Sequence, residues 1–159
     1  MTGDEQDPAA YAADIDAARE RMIGFVKGCS DEEWASAPLA AAGDPRPVAV
    51  VADHVAHAYE YLAGWIAQLV AGQPVEVNSG VVDSLNAQHA RDATAVSKTE
   101  ATEHLRRSGG AISVLVAGLS PADLAAGDGR VRRLAQIAAR HADEHRADME
   151  TALATGGTA

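Results

Sequence analysis

Apolar residues recur every three or four positions along most of this chain, a spacing that predicts helices. Asp7-Pro8 opens the first, with Asp as N-cap and Pro at the first helical position. Tyr11, Ile15, Ala18, Met22, Phe25 and Val26 then share one face, and Lys27-Gly28 closes the helix. Ser30-Asp31-Glu32-Glu33 has the form of a capping box for a short helix carrying Trp34. AAAGDPRP, residues 40–47, reads as a loop. A second long helix runs from about Pro47 to Ala71, with the stripe Val48, Val51, Val55, Leu62, Ile66 and Leu69, and stops at Gly72. Residues 72–80 form a connector. A polar helix follows, roughly Val81 to Ala95, with so few apolar anchors that it should lie across the bundle rather than within it.

Ser97-Lys98-Thr99-Glu100 caps the next helix, which carries Leu105, Ile112, Leu115 and Leu119 on one side. Its Gly109-Gly110 pair either weakens it, by about 1 kcal/mol per glycine, or lets a neighbour approach closely. Ser120-Pro121-Ala122-Asp123 caps a short turn, AAGDG is a loop, and the last helix spans about Arg130 to Ala154. Residues 1–6 and 155–159 are expected to fray. Pro74-Val75-Glu76-Val77 is the one short strand candidate. The economical fold is all-α: a single domain over 1–159, a four-helix bundle with one long connection between its second and third helices.

Composition agrees. Aromatics make up only 4% of the chain and alanine is abundant, which suits closely packed helices better than a β-sandwich. A formal net charge of −10 argues against nucleic-acid binding, and Arg130, Arg132 and Arg133 are too few to reverse it. With one cysteine, Cys29, no internal disulfide is possible, and a reducing cytoplasm is the natural compartment. The acidic N-terminal stretch MTGDEQDPAA is not a signal peptide, and no apolar run approaches the ~18 residues of a membrane span.

The chemistry lies in the histidines. At ~100° per residue, and with Leu134 as reference, Ile137, Ala138, His141, His145, Asp148 and Ala152 all fall within about 60° on the last helix. That places two imidazoles, one turn apart, in the middle of the expected buried stripe. Their nitrogens can converge on one ion, or be satisfied by hydrogen bonds; spacing alone leaves both open. The HExxH metalloprotease pattern does not apply, because Ala142 stands where its glutamate would be. A third ligand should come from a facing helix. His54 lies roughly 80° from the centre of the second helix's stripe and can turn inward, whereas His57, at roughly 140°, should look outward or reach only the rim. His89 and His104 read as surface residues. Asp148, one turn beyond His145, could orient a ligand imidazole by hydrogen bonding or form a plain salt bridge. Three histidines would leave coordination positions open, as in catalytic sites, and imidazole does not choose between Zn, Ni and Fe.

Five stretches together resemble the DinB-like superfamily, which includes the mycothiol-dependent maleylpyruvate isomerase type N-terminal domains. They are GCSDEEW (28–34), PVAVVADHVAHAYEYL (47–62), VVDSLNAQHA (81–90), LSPADL (119–124) and RHADEH (140–145). The resemblance covers nearly the whole chain and rests on the order and spacing of all five. It implies an up-down-down-up four-helix bundle and a metal held by one second-helix and two last-helix histidines, here His54, His141 and His145. The family often has a Trp at the head of the second-helix motif; Arg46 stands there in this chain.

The resemblance also implies thiol-dependent isomerases and S-transferases that use mycothiol or bacillithiol. The expectation is a divalent-metal enzyme in which a low-molecular-weight thiol, activated by the metal, attacks a small electrophile. Cys29 has no sequence-local histidine and reads as a buried or incidental thiol. Pocket specificity should depend on the crossover helix around Asn86 and His89 and on the loops 40–47 and 72–80. Two alternatives stand beside this: a non-catalytic bundle that binds a metal or small molecule or serves a stress response, and a purely structural homodimer. A homodimer also fits the alanine-rich helix surface. Neither a nucleic acid nor a membrane is expected as partner.

Overall fold

The computed structural model describes residues 6–156. Residues 1–5 and 157–159, to which most of the expected fraying applies, lie outside the described residues. The order is α1 (Pro8–Gly28), α2 (Asp31–Ala35), a 3-10 turn (Ala40–Ala42), α3 (Val48–Val70), α4 (Ser79–Asp92), α5 (Lys98–Ala117) and α6 (Pro121–Gly156). Among the described residues there is no strand, and Pro74-Val75-Glu76-Val77 belongs to an irregular connector. No single helix is long and apolar enough to cross a membrane.

The helix starts follow their capping chemistry. Asp7 accepts the Ala10 N–H at 2.7 Å, with Pro8 at the first helical position of α1. Ser30 and Glu33 form a reciprocal capping box at α2, and Ser97 and Glu100 form another at α5. Helix α6 starts with Ser120 and Asp123 exchanging the same pair of bonds. It then breaks at Ala126–Gly129, where Gly127, Asp128 and Gly129 have φ of 60°, 56° and 76°. A side chain at Gly127 would also come within 3.0 Å of Leu69, so glycine is needed there on two counts. Beyond this break the helix runs regularly through Gly156, two residues past the expected end at Ala154. Helix α4 begins and ends earlier than the expected Val81–Ala95, because Asn78 caps it by accepting the Val81 N–H at 3.0 Å.

Helix α1 packs against α5 and α6, and α3 packs against the same two helices. Tyr11 lies beside Gln136 and Arg21 beside Asp143 along α1 and α6. Ser113 bonds to the Ala12 carbonyl, and Arg19 lies over Gly109, along α1 and α5. The core uses small residues as spacers: Ala18, Ala52, Ala135, Ala138 and Ala142 are fully buried beside Ile15, Met22, Tyr59 and Ile66. A Cβ at Gly109 would stand 2.6 Å from Arg19 Cδ and 3.3 Å from the buried Tyr59 ring, so this glycine marks a close approach.

On α3 the expected apolar stripe is buried throughout, but burial goes further: every residue from Val48 to Ala56 is enclosed. The α2 segment, α4, α5 and α6 surround this half of the helix. Its polar residues therefore need partners from several directions at once.

The two glycines of α5 should respond oppositely. Gly110→Ala meets only ordinary contact with Arg19 at 3.7 Å and gains helix propensity, so it should stabilise by up to about 1 kcal/mol. Gly109→Val must displace Arg19 and Tyr59 and should destabilise by about 1–3 kcal/mol. Urea denaturation of both variants checks this; equal shifts would contradict the close packing.

Candidate metal centre

His54 projects from the enclosed half of α3 toward α6, where His141 and His145 stand one turn apart. One ring nitrogen from each lies within 4.8 Å of the others, close enough for one metal ion. His54 Nε2 and His141 Nε2 face each other at 3.2 Å. Two imidazole nitrogens bound to one ion at ~2.1 Å stand roughly 3.0–3.4 Å apart, so this spacing suits a shared ion. The rings meet edge to face, with centroids 5.2 Å apart for His54 and His141, 5.1 Å for His54 and His145, and 4.5 Å for His141 and His145.

Electrostatics holds the trio neutral. Burial, then repulsion from His141 and His145, pushes the His54 imidazole down to about 2. Burial and His145 push His141 down to about 3. His145 is also lowered, by burial and by the charge of Arg46, against an opposing pull from Asp148 and Asp44. Neutral imidazole is the ligating form. His54 is 3% exposed, and its Nδ1 is buried without a hydrogen-bond partner. The donor set and its protonation thus fit a divalent ion.

His141 and His145 do not lie in the middle of α6's buried stripe, as expected. The fully buried residues are Val131, Ala135, Ala138, Ala142 and Met149, whose common direction is about 60° round from Leu134. The histidines stand on the flank of that stripe, facing α3. Asp148 lies farther round and is exposed; among the described residues no hydrogen bond joins it to either histidine. Ile137, on the same side, is 36% exposed.

Two histidines expected at the surface are not there. His89, from α4, is 7% exposed and its Nε2 donates to Asp53 at 2.8 Å. His104, from α5, is half-buried; its Nδ1 meets the other Asp53 oxygen at 2.8 Å and its Nε2 meets Glu60 at 2.7 Å. Burial alone would raise the Asp53 carboxyl, but bonds from His104 and His89 outweigh it and hold the group well below the carboxylate range. The Asp53 bond, against burial, raises His104. His57 does point away from the core, yet α4 covers it, and it stacks on His89 with centroids 5.0 Å apart. Burial lowers it. Asn86, one turn before His89, is half-buried with its Oδ1 shielded and unpartnered.

Asp53 is the residue that sequence reasoning missed. Asp53, His57 and Glu60 recur at i, i+4 and i+7, a polar stripe opposite the apolar one. That pattern was visible, but it has the form of an ordinary solvated face.

An all-helical chain with a three-histidine cluster between two of its long helices defines the class. The family model of the DinB superfamily matches residues 14–149, and the chain belongs to that superfamily. Comparison with curated proteins and with solved structures gives no match.

The neutral trio sets the sign of a pH effect. In the metal-free protein the unfolded chain protonates these imidazoles near pH 6.5 while the folded chain does not, so acid favours unfolding. Stability should fall as pH drops below about 6.5 and go on falling toward pH 3. His104 has the opposite sign: its contribution is present below about 6.5 and fades as pH rises through its raised folded value. Urea midpoints at pH 7.5 and 5.5, with chelator present, should therefore drop in the wild type and drop less in a His141→Ala, His145→Ala double variant. Equal drops would contradict the assignment.

Proposed function

We propose that this protein binds one divalent metal ion through His54, His141 and His145, and uses it in a thiol-dependent transfer or isomerisation of a small electrophile. The observation that carries the reading is three neutral imidazoles within 4.8 Å, from two packed helices, with positions left over for a further ligand. Such an ion supplies Lewis acidity, lowering the pKa of a thiol or water bound to it. The thiol-dependent chemistry is drawn from the resemblance to thiol-using DinB-like enzymes.

The chain's own residues support an added thiol rather than an internal one. Cys29 is buried and its sulfur titrates above the ordinary range, chiefly because of that burial. Arg46, where a Trp is common in the family, acts electrostatically on all three imidazoles. Asp44 holds its guanidinium at 2.9 and 2.7 Å. The charge of Arg46, offset in part by Asp44, favours an anionic ligand such as a thiolate or carboxylate over a cationic one. The imidazoles leave Zn, Ni and Fe all open.

The bundle carrying this centre is proposed as up-down-down-up, with α4 as the crossover. Tyr11–Gln136 and Arg21–Asp143 advance together along α1 and α6, which suits a parallel pair. Ala12–Ser113 and Arg19–Gly109 run oppositely along α1 and α5, as His54–His141 and Leu69–Gly127 do along α3 and α6.

Elemental analysis of tag-free protein should find near-stoichiometric metal that the His141→Ala, His145→Ala double variant loses. Thiol-dependent conversion of monochlorobimane should disappear on chelation and return with metal. Metal at a thousand times its dissociation constant should add about 4 kcal/mol to stability. No metal after incubation with Zn and Ni would overturn the centre; activity surviving in the metal-free protein would overturn its role.

A further inference from the structure

Helix α4 lies against the outer side of α3, the side that carries Asp53, His57 and Glu60. Of its 14 residues only His89 is buried, and that residue is polar. Val81, Val82 and Leu85 are half-buried. A helix of this length is marginal in water unless docking holds it, and here docking offers little apolar burial. A cavity of about 530 Å³ opens beneath its C-terminal end, lined by Asp53, His89, Asp92, Val96, His104 and Arg107. The main specific tie is the 2.8 Å bond from His89 Nε2 to Asp53, supported by the stack of His89 on His57. What lies behind is the candidate metal centre: the His89 ring stands 6.0 Å from the His54 ring, and Asp53 precedes His54 in the chain.

A second metal site is not the explanation for this polar group. The two imidazoles approach different oxygens of Asp53, and among the described residues only His54, His141 and His145 form a ligating group.

We infer that α4 is a movable cover over the His54 side of the cluster, latched by the His89–Asp53 hydrogen bond, and that its opening controls access to the centre. The access role rests on the proposed reading of the cluster as a binding site. The latch is a local feature: elements with few buried apolar contacts open at lower free energy than the core. His104 holds the other oxygen of Asp53 from α5, so the carboxylate stays in place when α4 lifts.

Two readouts test this. Hydrogen exchange on the intact protein should show α4 amides exchanging at least tenfold faster than those of α3. Carbethoxylation of His54 by diethyl pyrocarbonate, followed by mass spectrometry of the metal-free protein, reports access directly. His89→Ala should raise both α4 exchange and His54 labelling at least tenfold, with exchange in α1 and α5 unchanged. His89→Gln, which can still donate to Asp53, should return both toward wild type. In the zinc-loaded protein, stripping by a chromogenic chelator should quicken in His89→Ala by a similar factor. If no zinc binds, the metal reading fails and His54 labelling alone judges the cover. Exchange in α4 as slow as in α3, or His54 labelling unaffected by His89→Ala, would overturn the inference. Should His89→Ala lose protection throughout, the wild-type comparison of α4 with α3 and the His89→Gln labelling decide.

Discussion

The structure turns on the enclosure of α3 between Val48 and Ala56. A helix buried along one stripe can turn its polar residues to water. A helix enclosed on all sides must give each one a partner, because an unpaired buried polar group costs several kcal/mol. His54 meets this by facing the histidines of α6, and Asp53 by receiving His89 and His104. The two solutions differ in kind. Around Asp53 every strong interaction is closed within the chain. Around His54 the imidazoles of the cluster face one another, with the His89 ring 6.0 Å away, and the Nδ1 of His54, like that of His89, is left without a partner. Both oxygens of Asp53 are satisfied by the chain itself, whereas the facing nitrogens of His54, His141 and His145 could hold an ion between them.

Most of the fold was legible because helix starts are written in short-range chemistry. Asp7-Pro8, Ser30 with Glu33, and Ser97 with Glu100 each cap a helix at the expected place. That His54, His141 and His145 come together in space was also legible, since helical angle and the family motifs select the same residues. What failed has a common cause. On α6 the buried stripe is built largely from Ala135, Ala138 and Ala142, whose small side chains carry a weak hydropathy signal. Leu134 and Ile137 drew the reference direction toward themselves, and Asp148 was carried inward with it. On the outer face of α3 the error ran the other way. Asp53, His57 and Glu60 have the pattern of a wet surface, and only α4, whose own sequence offers few apolar anchors, reveals that the surface is covered.

Small residues make the geometry of the centre attainable. Ala58 and Ala138, each about one turn from a cluster histidine, are fully buried, and small side chains there let α3 and α6 come close enough for imidazoles to meet directly. The break at Gly127–Gly129 serves the same end: α6 can turn from the α5 connection and run straight past α3 with its two histidines in register. Leu69 packs against that break, so the far end of α3 is fixed by the feature that sets the course of α6.

Asp53 and His54 are neighbours in the chain but point about 100° apart, one toward α4 and α5, the other toward α6. Helix α3 therefore has no rotational slack in its enclosed half. One residue inserted between Asp53 and His54 would double the angle between them, so that the helix could no longer satisfy both sets of contacts after a single genetic event. The same insertion in the exposed connector after Gly72 would leave each in place. Tolerance to insertion along this chain is thus set less by distance from the histidines in space than by whether the change separates groups that one helix must hold at a fixed angle.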